Sequence, residues 1–242
     1  MVIESLRDVL TQLVVLFAGV AAITGIVVLQ KLFHNDLKEL FDDENYFIFF
    51  FLVLGYSLYG LGEVSFYLME VTLQSYQSIG ISDIYWAAGG LLILFAYVSL
   101  LLYVLRLNKS PAKQIKLFML SAVIVAVVAF FVFGVVAPMS QDLSFFNYFY
   151  PIISSLIVSA ALSVLIFPKE VGDFATPLLI FFFASVAILV GDVLFTYTTA
   201  QGGYLTSSLG SLDDMFYLCG YGLSAVGFLT MRKSMHNLAG IE

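Results

Sequence analysis

Seven long apolar stretches follow one another along this chain, at 9–33, 46–69, 84–105, 117–138, 148–167, 174–200 and 215–231. A helix rising ~1.5 Å per residue needs ~20 apolar residues to cross ~30 Å of hydrocarbon. Lipid offers no hydrogen-bond partner to a bare backbone, so segments of this kind cross a bilayer as helices. The sequence therefore predicts an all-α integral membrane fold of seven transmembrane helices, with residues 1–242 forming a single domain. The connections are short and polar, among them "HNDLKELFDDEN" (34–45), "RLNKSPAKQ" (106–114) and "AQGGYLTSSLGS" (200–211). Only 11% of the 242 residues are charged, against ~25% in soluble domains.

Charge also gives the orientation. Lys31, Lys38, Arg106, Lys109, Lys113, Lys116, Lys169, Arg232 and Lys233 fall on alternate connections, and only Arg7 falls on the other side. Basic residues stay cytoplasmic, so the N-terminus is expected outside and the C-terminus inside, in a multi-pass protein of the plasma membrane. The net charge of −7, with no basic patch interleaved with aromatics, argues against a nucleic-acid partner. The bilayer is the expected partner.

Two of the apolar stretches keep a carboxylate in nearly the same frame, "GEVSF" at 62–66 and "GDVLF" at 191–195. Gly62 and Gly191, Glu63 and Asp192, Val64 and Val193, and Phe66 and Phe195 share one offset. Downstream, "DIYWAAG" (83–89) parallels "DMFYLCG" (214–220), pairing Asp83 with Asp214, Trp86 with Tyr217 and Gly89 with Gly220. Spans 2–3 thus read as a copy of spans 6–7. Copies four spans apart run in the same direction, which implies a parallel 3+1+3 repeat about an axis near the membrane normal, with span 4 as linker.

An acid at mid-span costs at least ~2.5 kcal/mol on insertion scales, so it should face the bundle interior and is a functional candidate. Tyr59, Glu63 and Tyr67 share a helical stripe on span 2. Asp192 and Thr196 do so on span 6, and Asp214 and Tyr217 on span 7. Trp86 lies beside Asp83. Glu63, Asp192, Tyr59, Tyr67, Thr196, Trp86, Asp214 and Tyr217 are therefore the expected ligand- or ion-binding residues, in the outer half of the bundle. No Lys or Arg lies deep in a span to neutralise the acids, which points to protonation or to a bound cation. The other reading is that the acids only fix helix packing, at ~0.6 kcal/mol each.

Several families share parts of this pattern. Seven spans with the N-terminus outside resemble the microbial rhodopsins, but residues 212–231 contain no Lys for a retinal Schiff base. His34 and His236 lie outside the spans, so no haem ligands are available within them, and no cofactor is expected. "GLGE" at 60–63 resembles the GxGD element of intramembrane aspartyl proteases with Glu in place of Asp and no partner motif, so the reading leans away from an enzyme. Residues 189–228 resemble the closing spans of the polytopic sensor domains that precede GGDEF, EAL or histidine-kinase modules, through Asp192, Phe195, Tyr197, Gly203, Tyr204, Asp213 or Asp214, Gly220 and Tyr221. That resemblance implies a receptor or sensor. With the sequence ending at Glu242, signalling is expected to run through a separate cytoplasmic partner or further copies of the chain. The alternative is a small-solute or cation/proton-coupled transporter or channel built on the same repeat.

Overall fold

A computed structural model describes residues 2–33, 39–73, 79–107, 110–140, 143–167, 172–202 and 208–238. Seven long helices account for nearly all of them, and no strand occurs among the described residues. They are α1 (Val2–Phe33), α2 (Glu44–Phe66), α3 (Ile81–Leu107), α4 (Pro111–Ala129), α5 (Phe145–Leu165), α6 (Ala175–Ala200) and α7 (Ser208–Leu238). Lys38, Lys109, Lys169, Gly203 and Tyr204, which entered the sequence reading, lie outside the described residues.

Helix ends follow local chemistry. Asp43 opens α2 by accepting from the backbone N–H groups of Asn45 (2.8 Å) and Tyr46 (3.2 Å), which would otherwise lack partners in the first turn. Pro111 opens α4, where its missing N–H is no loss. Two helices change their winding before they end. The end of α2 widens into a π-helical turn over Tyr67–Thr72, and α4 widens over Phe130–Val136 before Pro138 ends it. Such widening rotates the side chains that follow relative to a regular helix.

α1 to α6, with the widened turns of α2 and α4, are each long and apolar enough to cross a membrane. The seventh helix is also long, at 31 residues, but it carries Asp213, Asp214, Arg232 and Lys233 and is less apolar. Many large apolar side chains on the outer faces, such as Leu16, Ile23, Leu91, Phe118 and Leu229, are exposed, as expected where lipid rather than water surrounds the bundle.

Six helices close a ring in the order α1–α2–α3–α5–α6–α7, because α1 packs on both α2 and α7 while α3 packs on α5. α4 lies outside the ring against α5. Between apolar helices in lipid the hydrophobic driving force is weak, so close packing at small residues holds them together. Two such contacts stand out. A Cβ on Gly89 of α3 would lie 2.8 Å from the Gly55 carbonyl and 2.6 Å from the Tyr59 ring. A Cβ on Gly220 of α7 would lie 3.2 Å from the Ala184 carbonyl and 2.7 Å from Ile188. At the centre, Phe181 of α6 and Phe228 of α7 meet edge to face at 4.9 Å, with Tyr56 of α2 against Phe228 at 5.6 Å.

Candidate functional site

The two span acids come to the same end of the ring, the end at which α1 begins. Glu63 sits one turn before the finish of α2 and is buried. Its Oε1 accepts from Trp86 Nε1 of α3 at 3.2 Å and from the Tyr221 hydroxyl of α7 at 2.6 Å. Asp192, equally buried in α6, accepts from the Tyr217 hydroxyl of α7 at 2.8 Å and, on its other oxygen, from Ser154 of α5. Each carboxyl group is thus held by side chains from two other helices.

The glycine before each acid makes that anchoring possible. A Cβ on Gly62 would lie 2.5 Å from the Trp86 ring, and one on Gly191 would lie 2.9 Å from the Tyr217 ring. In each case the aromatic donor lies across a bare stretch of helix to reach the next carboxylate. Two further acids complete this end. Asp214 accepts from Thr11 of α1 at 3.4 Å. Asp83 accepts from the Tyr150 hydroxyl of α5 and from the Gly80 backbone at 2.7 Å.

These side chains surround a cavity of about 40 Å³ walled by Glu63, Asp192 and Asp214 together with the rings of Tyr59, Trp86, Tyr150, Tyr217 and Tyr221. No Lys, Arg or His lines it. At ~10–15 Å³ per water, the space suits on the order of three waters or a cation of similar bulk. Among the described residues, no group of three or more His, Cys, Asp and Glu is arranged to hold a metal ion.

Six of the eight residues singled out in the sequence line this cavity: Tyr59, Glu63, Trp86, Asp192, Asp214 and Tyr217. Two do not. Tyr67 stands where α2 widens, and its hydroxyl accepts from Gln12 of α1 at 3.0 Å on the exposed side. Thr196 has a different task. Pro151 interrupts α5 and has no N–H to give the Asn147 carbonyl one turn earlier. The Thr196 hydroxyl supplies that hydrogen bond instead, at 2.8 Å.

Sequence reasoning missed Ser154, Tyr150 and Thr11. Tyr150 and Ser154 are four residues apart on α5 and so share its inner face. No protein-family model, curated protein or solved structure matches the chain.

Proposed function

We propose that this chain is a seven-helix membrane receptor of the sensor type that binds a small monovalent cation, ammonium to methylammonium in size, between Glu63, Asp192 and Asp214. The observation that carries this reading is the lining of this small cavity. Three carboxylates and seven aromatic rings line it without a cationic side chain. Carboxylates attract a cation, ring faces add cation–π attraction, and the volume admits nothing much larger. In this reading α7 crosses the membrane like the other six, nine of the ten basic residues are cytoplasmic, and the site lies in the outer half. Signalling passes to a separate cytoplasmic partner.

The bundle is also read as a duplicated three-helix unit, α1–α3 and α5–α7, joined by α4. Several matched contacts support this. Trp86 reaches Glu63 as Tyr217 reaches Asp192, each across the glycine before the acid. Gly89 fits against residues 55 and 59 as Gly220 fits against 184 and 188. The first helix of each unit packs on the last helix of the other, through Thr11 to Asp214 and Tyr150 to Asp83.

A specific observation favours a second reading, a carrier. A cavity of about 10 Å³ bordered by Tyr56, Tyr59 and Ser185 adjoins the acidic one through Tyr59 and Ile188, and another of about 170 Å³ lies at the opposite end. The aromatic contact of Tyr56, Phe181 and Phe228 lies between the ends. Labelled methylammonium separates the two readings. Saturable binding in lipid nanodiscs without uptake into proteoliposomes is the receptor's behaviour, and saturable uptake is the carrier's. Absence of both would end the cation assignment.

A further inference from the structure

At the end of the ring opposite the acids, α2 begins and α3 finishes, and an open groove of about 240 Å³ lies between them. Phe41, Phe47 and Leu102 border it, and so do Glu44 and Arg106. The space is many times the ~10–15 Å³ that one water needs. Glu44 stands in the first turn of α2 and Arg106 in the last turn of α3, so both charges mark the level where the apolar helices end. The apolar wall continues along α3, where Leu91, Phe95, Val98 and Leu102 share one exposed face. Phe95 meets Phe47 and Phe51 of α2 edge on, at 5.6 and 5.0 Å.

Two features of this groove call for a partner. The ion pair is loose, with Arg106 Nη1 donating to Glu44 Oε1 at 3.3 Å, longer than the ~2.7–2.9 Å of a tight charge-assisted bond. It engages one arm of the guanidinium fork and one carboxylate oxygen, leaving both groups with bonding capacity to spare. With side chains 72% and 55% exposed, such a pair contributes little to stability. The second feature is Phe41, 80% exposed although it precedes the acids Asp42, Asp43 and Glu44. A large ring left bare beside charges marks a contact surface. We propose that the groove holds a phospholipid with a zwitterionic head, a phosphate and a primary ammonium as in phosphatidylethanolamine. The phosphate takes the planar Arg106 fork, the ammonium donates to Glu44, and an acyl chain lies along Leu102, Val98 and Phe95. Charge complementarity selects this occupant. An anionic head would meet Glu44 as well as Arg106, and a quaternary ammonium has no N–H to give a carboxylate. The site needs only that the helices cross a bilayer, and it does not depend on what the acidic cavity binds.

Native mass spectrometry of the full chain, titrated with dioleoyl phosphatidylethanolamine, phosphatidylcholine or phosphatidylglycerol, tests this. The ethanolamine lipid should bind about fivefold more tightly than the other two, the margin of one charge contact at a membrane surface. Glu44→Gln removes the ammonium's acceptor and the repulsion toward anionic heads, so preference should pass to phosphatidylglycerol. Arg106→Gln removes the phosphate's partner and should weaken the ethanolamine lipid about fivefold. The emission of Trp86, which stands at the other end of the bundle, checks that each variant is folded. Equal affinity for the ethanolamine and choline lipids in the parent, a phosphatidylglycerol preference there, or ethanolamine-lipid binding unchanged in either variant would each overturn the proposal. So would a lipid-free dimer that Leu102→Arg separates, which would seat a second copy of the chain in the groove.

Discussion

Thr196→Val tests how the bundle tolerates Pro151. Valine keeps the shape of threonine but has no hydroxyl, so the Asn147 carbonyl loses the bond it now accepts at 2.8 Å. Thr196 is fully buried and Asn147 nearly so, so no water replaces the donor. An unsatisfied buried acceptor costs ~1–3 kcal/mol in water-soluble proteins. Side-chain hydrogen bonds within membranes average ~0.6 kcal/mol, with maxima near ~1.7. The higher figure applies here, because the proline denies that carbonyl its alternative partner. The expected loss is ~1.5 kcal/mol. In a Pro151→Ala background the new N–H of residue 151 can satisfy the Asn147 carbonyl within α5, and the cost of Thr196→Val should fall below ~0.5 kcal/mol. Equilibrium unfolding of the four proteins in bilayer mimics measures the difference. Equal cost in both backgrounds would refute the reasoning.

Other consequences are simpler. Gly62→Ala places a methyl group 2.5 Å from the Trp86 ring, so the indole must move off Glu63. The emission of this single tryptophan should shift, and stability should fall by ~1–3 kcal/mol. Arg106→Ala removes an ion pair whose side chains are 72% and 55% exposed, and it should change unfolding stability by less than ~0.5 kcal/mol. A reporter fused after Glu242 should be cytoplasmic if basic residues set the topology. An exported reporter would invert the bundle and put the acidic cavity on the inner side.

Hydropathy made the number and rough position of the helices legible, because lipid imposes a length that a long run of apolar residues announces. It did not mark their ends, since α4 begins at Pro111 and α7 runs to Leu238, well beyond their apolar cores. Of the candidate site, Glu63 with Asp192 and Trp86 with Tyr217 were readable as matched positions of two copies, and the hydrogen bonds join them the other way, Trp86 to Glu63 and Tyr217 to Asp192. What stayed hidden depends on helices far apart in sequence. Ser154 reaches Asp192, and Tyr221 reaches Glu63, across helices whose neighbours only the ring order decides. The stripe ending at Tyr67 failed because α2 widens there, and a regular helical spacing cannot anticipate that change. Thr196 turns from the cavity to the Asn147 carbonyl, because the proline it serves sits on another helix.

The central claim is that the acidic cavity binds a monovalent cation through Glu63 and Asp192. Glu63→Gln and Asp192→Asn preserve size and hydrogen-bonding capacity while removing charge. Methylammonium binding to purified protein in nanodiscs, measured by calorimetry for the parent and both variants, is the most direct test. The account predicts saturable binding in the parent and a loss of tenfold or more in each variant, as expected when a charged hydrogen bond of ~1.5–3 kcal/mol is removed. Folded variants that bind methylammonium as tightly as the parent would contradict it and leave the acids as packing groups.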